Sequence, residues 1–213
     1  MERQFDARAF AEALRLALAR PLPGSAFHSR MQPAARAHLP PPARPRPSAV
    51  LIPILAQERP ALLLIERSAG GLHGGQIAFP GGAEEAGDLS PEATALREAR
   101  EEIGLEPEAV DVLGRLTPLT IAVSGFIVQP VLGLVLGRPA LRPSPEEVAR
   151  VLEVPLAALL DPRSRSEREI DVRGQNLLVP CYTLGGALVW GATAMMLSEL
   201  EEILRRGPVT PDG

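Results

Sequence analysis

Arg97-Glu98-Ala99-Arg100-Glu101-Glu102-Ile103-Gly104-Leu105 is the stretch whose reading decides the fold. Glu98, Glu101 and Glu102 stand at i, i+3 and i+4, so on a helix their carboxylates fall within roughly a 100° arc. Ala95, Leu96, Ala99 and Ile103 occupy the neighbouring arc, and the same helix can therefore bury one stripe while keeping an acidic margin. Ser90 as N-cap, Pro91 at the first helical position and Gly104 just past the end predict a helix of about twelve residues.

Like charges at this spacing cost a helix a few tenths of a kcal/mol per pair, and more where water is partly excluded. Two readings follow. The carboxylates form a solvated face balanced by Arg97 and Arg100, or they hold a hard divalent cation, which takes carboxylate oxygens, waters and phosphate oxygens. Upstream, Gly74, Gly75, Pro80, Gly81 and Gly82 make either an ordinary turn or a loop whose bare backbone approaches a ligand or lends a carbonyl to a metal.

Outward from this centre, Ala49 to Ala56 and Ala61 to Glu66 are apolar runs split by Glu58-Arg59-Pro60, the pattern of two strands joined by a turn. Further strands are expected at Val110 to Leu116, Phe126 to Leu136 and Leu177 to Leu184, a short helix near Pro145 to Leu152, and a last helix from Ala192 to Arg205. Strands and helices mixed in this order argue for an α+β fold built as an α/β/α sandwich. Asp6 to Ala19 has helical periodicity, and the Pro-rich segment Pro33 to Pro47 should be extended. These residues, 1–47, are expected to form an appendage to a domain over 48–206, with a flexible tail at 207–213.

The chain has 213 residues, 46% of them hydrophobic, enough for one sizeable core. All 22 basic side chains are Arg, and a net charge of -4 provides no basic field for a nucleic-acid polymer. Cys181 stands alone, which excludes an intrachain disulfide framework and a thiolate-rich zinc site. With no signal-like apolar stretch after Glu2, Arg3, Asp6 and Arg8, and no apolar window long enough to cross a bilayer, a cytoplasmic protein without a membrane span is expected.

Arg97 to Leu105 matches R-E-U-x-E-E-x-G-U, the second half of the Nudix box. In the first half, counting from Gly82 puts Asp88 where Glu is usual, and one extra residue precedes Arg97. Leu63-Leu64-Ile65-Glu66-Arg67-Ser68 and Gly75-Gln76-Ile77-Ala78-Phe79-Pro80-Gly81-Gly82 resemble the signature of the coenzyme A pyrophosphatase subgroup, without its second Arg. Phe126 to Val131, Glu147 to Leu156 and Val189 to Ala194 also resemble that subgroup.

The resemblance implies the Nudix fold, a mixed sheet between helices, and hydrolysis of a diphosphate with Mg²⁺ or Mn²⁺. It implies Glu101, Glu102 and Glu98 as metal ligands with the Gly81 or Gly82 carbonyl, Glu98 or Glu147 as base, and Arg97 as the group that orients the carboxylates. Arg67, Gly81 and Phe79 are expected at the substrate, although an Arg ending a strand also reads as a surface ion pair. His73 can reach a nucleotide or merely be solvated, and Trp190 reads as core more than as a stacking platform. The expected substrate is a small nucleotide, coenzyme A first, with ADP-ribose, a dinucleotide or an oxidised nucleoside triphosphate as alternatives. A non-catalytic nucleotide-binding module is the rival of another class, and a homodimer is compatible with either.

Overall fold

The computed structural model describes residues 5–36, 39–70, 74–172 and 174–207. Its centre is β1 (Arg46–Leu55), flanked by β2 (Ala61–Arg67) and, in parallel, by β7 (Phe126–Val135). The short β3 (Ile77–Ala78) joins β2, and β4 (Gly81–Ala83) joins β1. Beyond β7 lie β5 (Val110–Arg115) and β6 (Leu119–Ile121), and β8 (Val148–Pro155) pairs with β2. A separate antiparallel sheet holds β9 (Arg165–Val172), β10 (Gln175–Leu184) and β11 (Ala187–Trp190).

Alternation along the central strands explains the layering. Ala49, Leu51 and Leu55 of β1, with Leu63 and Ile65 of β2, pack under Ala95, Ala99 and Ile103 of α3 (Pro91–Ile103). Ile52, Ile54, Leu62 and Leu64 point the other way, to Ala194, Leu197 and Leu200 of α5 (Gly191–Arg206). Period-two side chains buried on both faces are what a sheet between helices requires. The mixed sheet flanked by helices that the sequence leads one to expect is the architecture observed.

Two expectations need correction. The short helix near Pro145 to Leu152 is a turn at 145–147 running into β8, where Leu152 and Val154 are buried and Glu153 is exposed. The exposed edge of β2 offers those residues a ladder from Arg67↔Val148 to Ala61↔Pro155, which outweighs a weak local helical preference. The N-terminal segment, expected to lie off the domain, joins the core. α1 (Ala7–Leu18) buries Phe10, Ala11 and Leu14, and beyond the short α2 (Ser25–His28) Met31 is buried too. Its fastening is polar as well, because Glu199 of α5, fully buried, accepts from Gly24 N–H and faces His28 Nε2 at 2.9 Å.

The highly charged β9 and the five-residue α4 (Leu156–Leu160) carried no sequence signal. β9 is held by its register with β10 from Arg165↔Tyr182 to Val172↔Gln175. Among the described residues, no helix is long and apolar enough to cross a membrane.

Candidate active site

The acidic helix starts and stops where its punctuation predicts. Ser90 Oγ accepts from Ala93 N–H, Pro91 opens the helix, and Gly104 ends it at φ 67°, its N–H closing on the last turn. Such a cap contributes about 1 kcal/mol. Burial of Ala95, Ala99 and Ile103 then settles which way the carboxylates face.

The three glutamates meet three environments. Glu102 is buried; its Oε2 accepts Gly81 N–H at 2.9 Å, and its Oε1 lies 3.4 Å from Arg67 Nη1. Burial pushes its carboxyl up to about 7, against the pull of the Gly81 amide and Arg67. Glu98 is half-buried against Gly82, so close that a Cβ on that glycine would stand 2.4 Å from Glu98 Oε1. Burial raises its carboxyl above the ordinary range, and the charges of Glu101 and Glu147 act in the same direction. The side chain of Glu101 is 57% exposed and accepts from Arg97 Nη1 at 2.9 Å.

Arg97 is the organiser of this edge. Its Nε and Nη2 donate to the two oxygens of Asp88 at 3.1 and 3.0 Å, Nη2 also reaches the Ala83 carbonyl, and Nη1 bridges Glu98 and Glu101. Asp88 in turn accepts from Glu85 N–H and Thr94 Oγ1. The Arg97 bonds, with these, hold its carboxyl down to about 2. Asp88 is thus a clamp on Arg97. Sequence spacing alone left that role open, since Asp88 stands where Glu is usual counting from Gly82 but one extra residue separates it from Arg97.

The β2–β8 register shifts between Glu66 and Arg67, and Arg67 at the end of β2 faces Glu102. The next residue, Ser68, donates its N–H to the Glu147 carbonyl, which brings the 145–147 turn alongside. The charge of exposed Glu147 is accordingly felt by both Glu98 and Glu102.

Gly81, Gly82 and Arg67 also line a cleft of about 320 Å³. Phe79, 1% exposed, belongs to its floor, and Val50, Ile121, Val123 and Phe126 make its walls apolar. Trp190 is half-buried at the start of α5 and lines the same cleft. Sequence reasoning did not connect Phe126 or the 121–124 turn with the site, because neither carries a polar signature. His73 lies outside the described residues.

The donor set at this edge is carboxylate and carbonyl oxygen, which suits a hard divalent ion. Among the described residues no three acidic, His or Cys groups are gathered closely enough to hold a metal ion as they stand. Arg97 occupies the position between Glu98 and Glu101, and Glu102 is taken by Gly81 and Arg67.

A mixed sheet between helices, with a capped acidic helix set against a glycine turn, defines a sandwich fold with an oxygen-rich edge beside a cleft. The chain belongs to the Nudix family, whose NUDIX domain model matches residues 45–171. It is 42% identical over 158 residues to a protein of Photorhabdus laumondii described as an uncharacterized Nudix hydrolase NudL, covering 74% of this chain and 84% of that one. A relative of the same description from Pectobacterium atrosepticum is 42% identical over 167 residues, 76% of this chain and 86% of the other. Among solved structures, the M. smegmatis Nudix hydrolase RenU superposes with a TM-score of 0.52 at 19% identity, over 78% of this chain and 89% of that one, which is a likeness of fold. The protein is accordingly a Nudix hydrolase acting on nucleoside-diphosphate-linked substrates.

Proposed function

We propose that the substrate is coenzyme A, cleaved at its diphosphate to 3′-phospho-AMP and 4′-phosphopantetheine. The observation that carries this reading is the continuity of the Gly81–Gly82 turn with a mostly apolar cleft. A diphosphate at the carboxylate edge would leave room for an uncharged arm or a nucleoside along the walls. The resemblance of Leu63 to Gly82 to the coenzyme A subgroup points the same way.

Glu98, Glu101 and Glu102, with the Gly82 carbonyl, would hold Mg²⁺ or Mn²⁺. When bound, the ion would neutralise phosphate charge and acidify a water. Water adds to one phosphorus, the bridging P–O bond breaks, and each product keeps one phosphate. Glu98 or Glu147 would accept the proton of the attacking water. Arg97, fixed by Asp88, would hold the Glu98 and Glu101 carboxylates in place, and Arg67 would face a phosphate oxygen once a cation competes for Glu102. Phe79 supports the turn from below. In this reading the chemistry belongs to residues 48–206; the described residues 5–36 support the fold, and 207–213 take no part.

The test is a panel of coenzyme A, ADP-ribose, a dinucleotide and an oxidised nucleoside triphosphate at equal concentration with Mg²⁺ or Mn²⁺, products being identified by mass. Coenzyme A should be the fastest. Faster turnover of ADP-ribose would overturn the assignment.

A further inference from the structure

Arg46 opens β1, and its guanidinium carbon lies 4.2 Å from the centroid of the Phe126 ring. The two are partners on the first rung of the parallel β1–β7 ladder, and Phe126 lines the cleft. Ser48 and Val50, which follow Arg46 on the same face of β1, line it too. Arg46 therefore stands at the outer end of the cleft.

The other arginines near the site have carboxylate partners. Arg97 is held by Asp88, Glu98 and Glu101, and Arg67 faces Glu102. Among the described residues no carboxylate pairs with Arg46, which is exposed. A guanidinium carried over an aromatic ring makes no hydrogen bond to it through its outer N–H groups, and their fork matches two phosphate oxygens.

Position decides which phosphate. Gly82 pairs with Ala49, three residues along β1 from Arg46, a distance of about 10 Å at the rise of a strand. That is roughly the span of one nucleoside, too far for a diphosphate that, in the proposed reading, would lie against Gly82 and Glu98.

We propose that Arg46, carried on Phe126, is a specificity-determining residue that binds a phosphate monoester on the ribose of the substrate, favouring a 3′-phosphorylated nucleotide over its unphosphorylated counterpart. The inference rests on the coenzyme A reading of the same site, and two separate measurements keep the two apart.

Calorimetric titration of the full chain with Mg²⁺ compares adenosine 3′,5′-bisphosphate with AMP. The parent should bind the bisphosphate roughly tenfold or more tightly, as expected for a charge-assisted pair. Arg46→Ala should bring the two affinities together by weakening the bisphosphate alone, and Arg46→Lys should retain part of the difference. No discrimination by the parent would overturn the proposal. So would an equal loss for both ligands, which would make Arg46 a shelf for the base. In turnover, Arg46→Ala should lower kcat/KM for coenzyme A and leave dephospho-coenzyme A unchanged. A parent that does not cleave coenzyme A overturns the substrate assignment, while the binding comparison still decides Arg46.

Discussion

Glu102 and Glu101 are neighbours in sequence with opposite surroundings, and their substitutions should differ in kind. For Glu102 the folded carboxyl is raised from 4.5 to about 7, so the protonated form is favoured by folding. Its contribution to stability is fully present below about 4.5 and is lost as pH rises through about 7. The melting temperature in chelator should fall across that window, and Glu102→Gln should flatten the fall while keeping an acceptor for the Gly81 amide. A parent and variant with parallel pH profiles would show that Glu102 does not titrate there. Glu101 is exposed and paired with Arg97, so Glu101→Gln should change metal-free stability by less than about 0.5 kcal/mol. If Glu101 is a ligand, the same variant loses most of the melting-temperature gain that millimolar Mg²⁺ gives the parent, along with turnover. Equal gains in both proteins would remove Glu101 from the ligand set. Both residues were legible as candidates from their i, i+3, i+4 spacing. Their different burial was not, because it depends on Gly81 and Arg67, which reach Glu102 from other strands.

At the level of elements, β4 and α3 meet through two glycines that do different work. Gly81 has φ 155°, and a Cβ there would lie 2.4 Å from the Ala49 carbonyl oxygen and 2.6 Å from Val50 Cα, both backbone atoms of β1 that cannot easily yield. Gly81→Ala should destabilise the protein by roughly 1–3 kcal/mol. At Gly82 the obstacle is the carboxyl end of Glu98, a side chain that can swing aside. Gly82→Ala should therefore keep the fold, with a loss below about 1 kcal/mol, yet lose most activity as Glu98 is displaced. Denaturant titration and turnover measured on both variants check this. Wild-type turnover by Gly82→Ala would mean that the position of Glu98 does not matter. The glycine pair was visible in the sequence as a turn, but its closeness to Glu98 arises from β4 pairing with β1 beneath α3.

Over the whole molecule, the described segment 5–36 packs onto the core through Phe10, Ala11, Leu14 and Met31. A chain beginning at Arg46 would uncover the surfaces that Phe10, Leu14 and Met31 now cover, and would take Gly24 and His28 away from buried Glu199. Loss of three such side chains removes roughly 5 kcal/mol or more, comparable with the total stability of a domain. The shortened chain should melt far below the parent or fail to fold. An unchanged melting temperature would show that the segment is dispensable. The amphipathic pattern of α1 was readable from its periodicity. Its docking site was not, because the surface that receives it is assembled from α5 and β5, far along the chain.

What the sequence determined by itself is what local chemistry encodes. The caps at Ser90, Pro91 and Gly104 bound α3, the spacing of Glu98, Glu101 and Glu102 puts them on one edge, and apolar runs mark β1, β2 and β7. These signals act within a few residues, where hydrogen bonds and side-chain direction follow directly from backbone geometry. Tertiary structure alone decided that 148–155 is a strand, that Asp88 clamps Arg97, and that Arg46 lies over Phe126, eighty positions away. Each of these depends on a partner surface supplied by a distant segment, and the interaction exists only once the sheet has brought the two together.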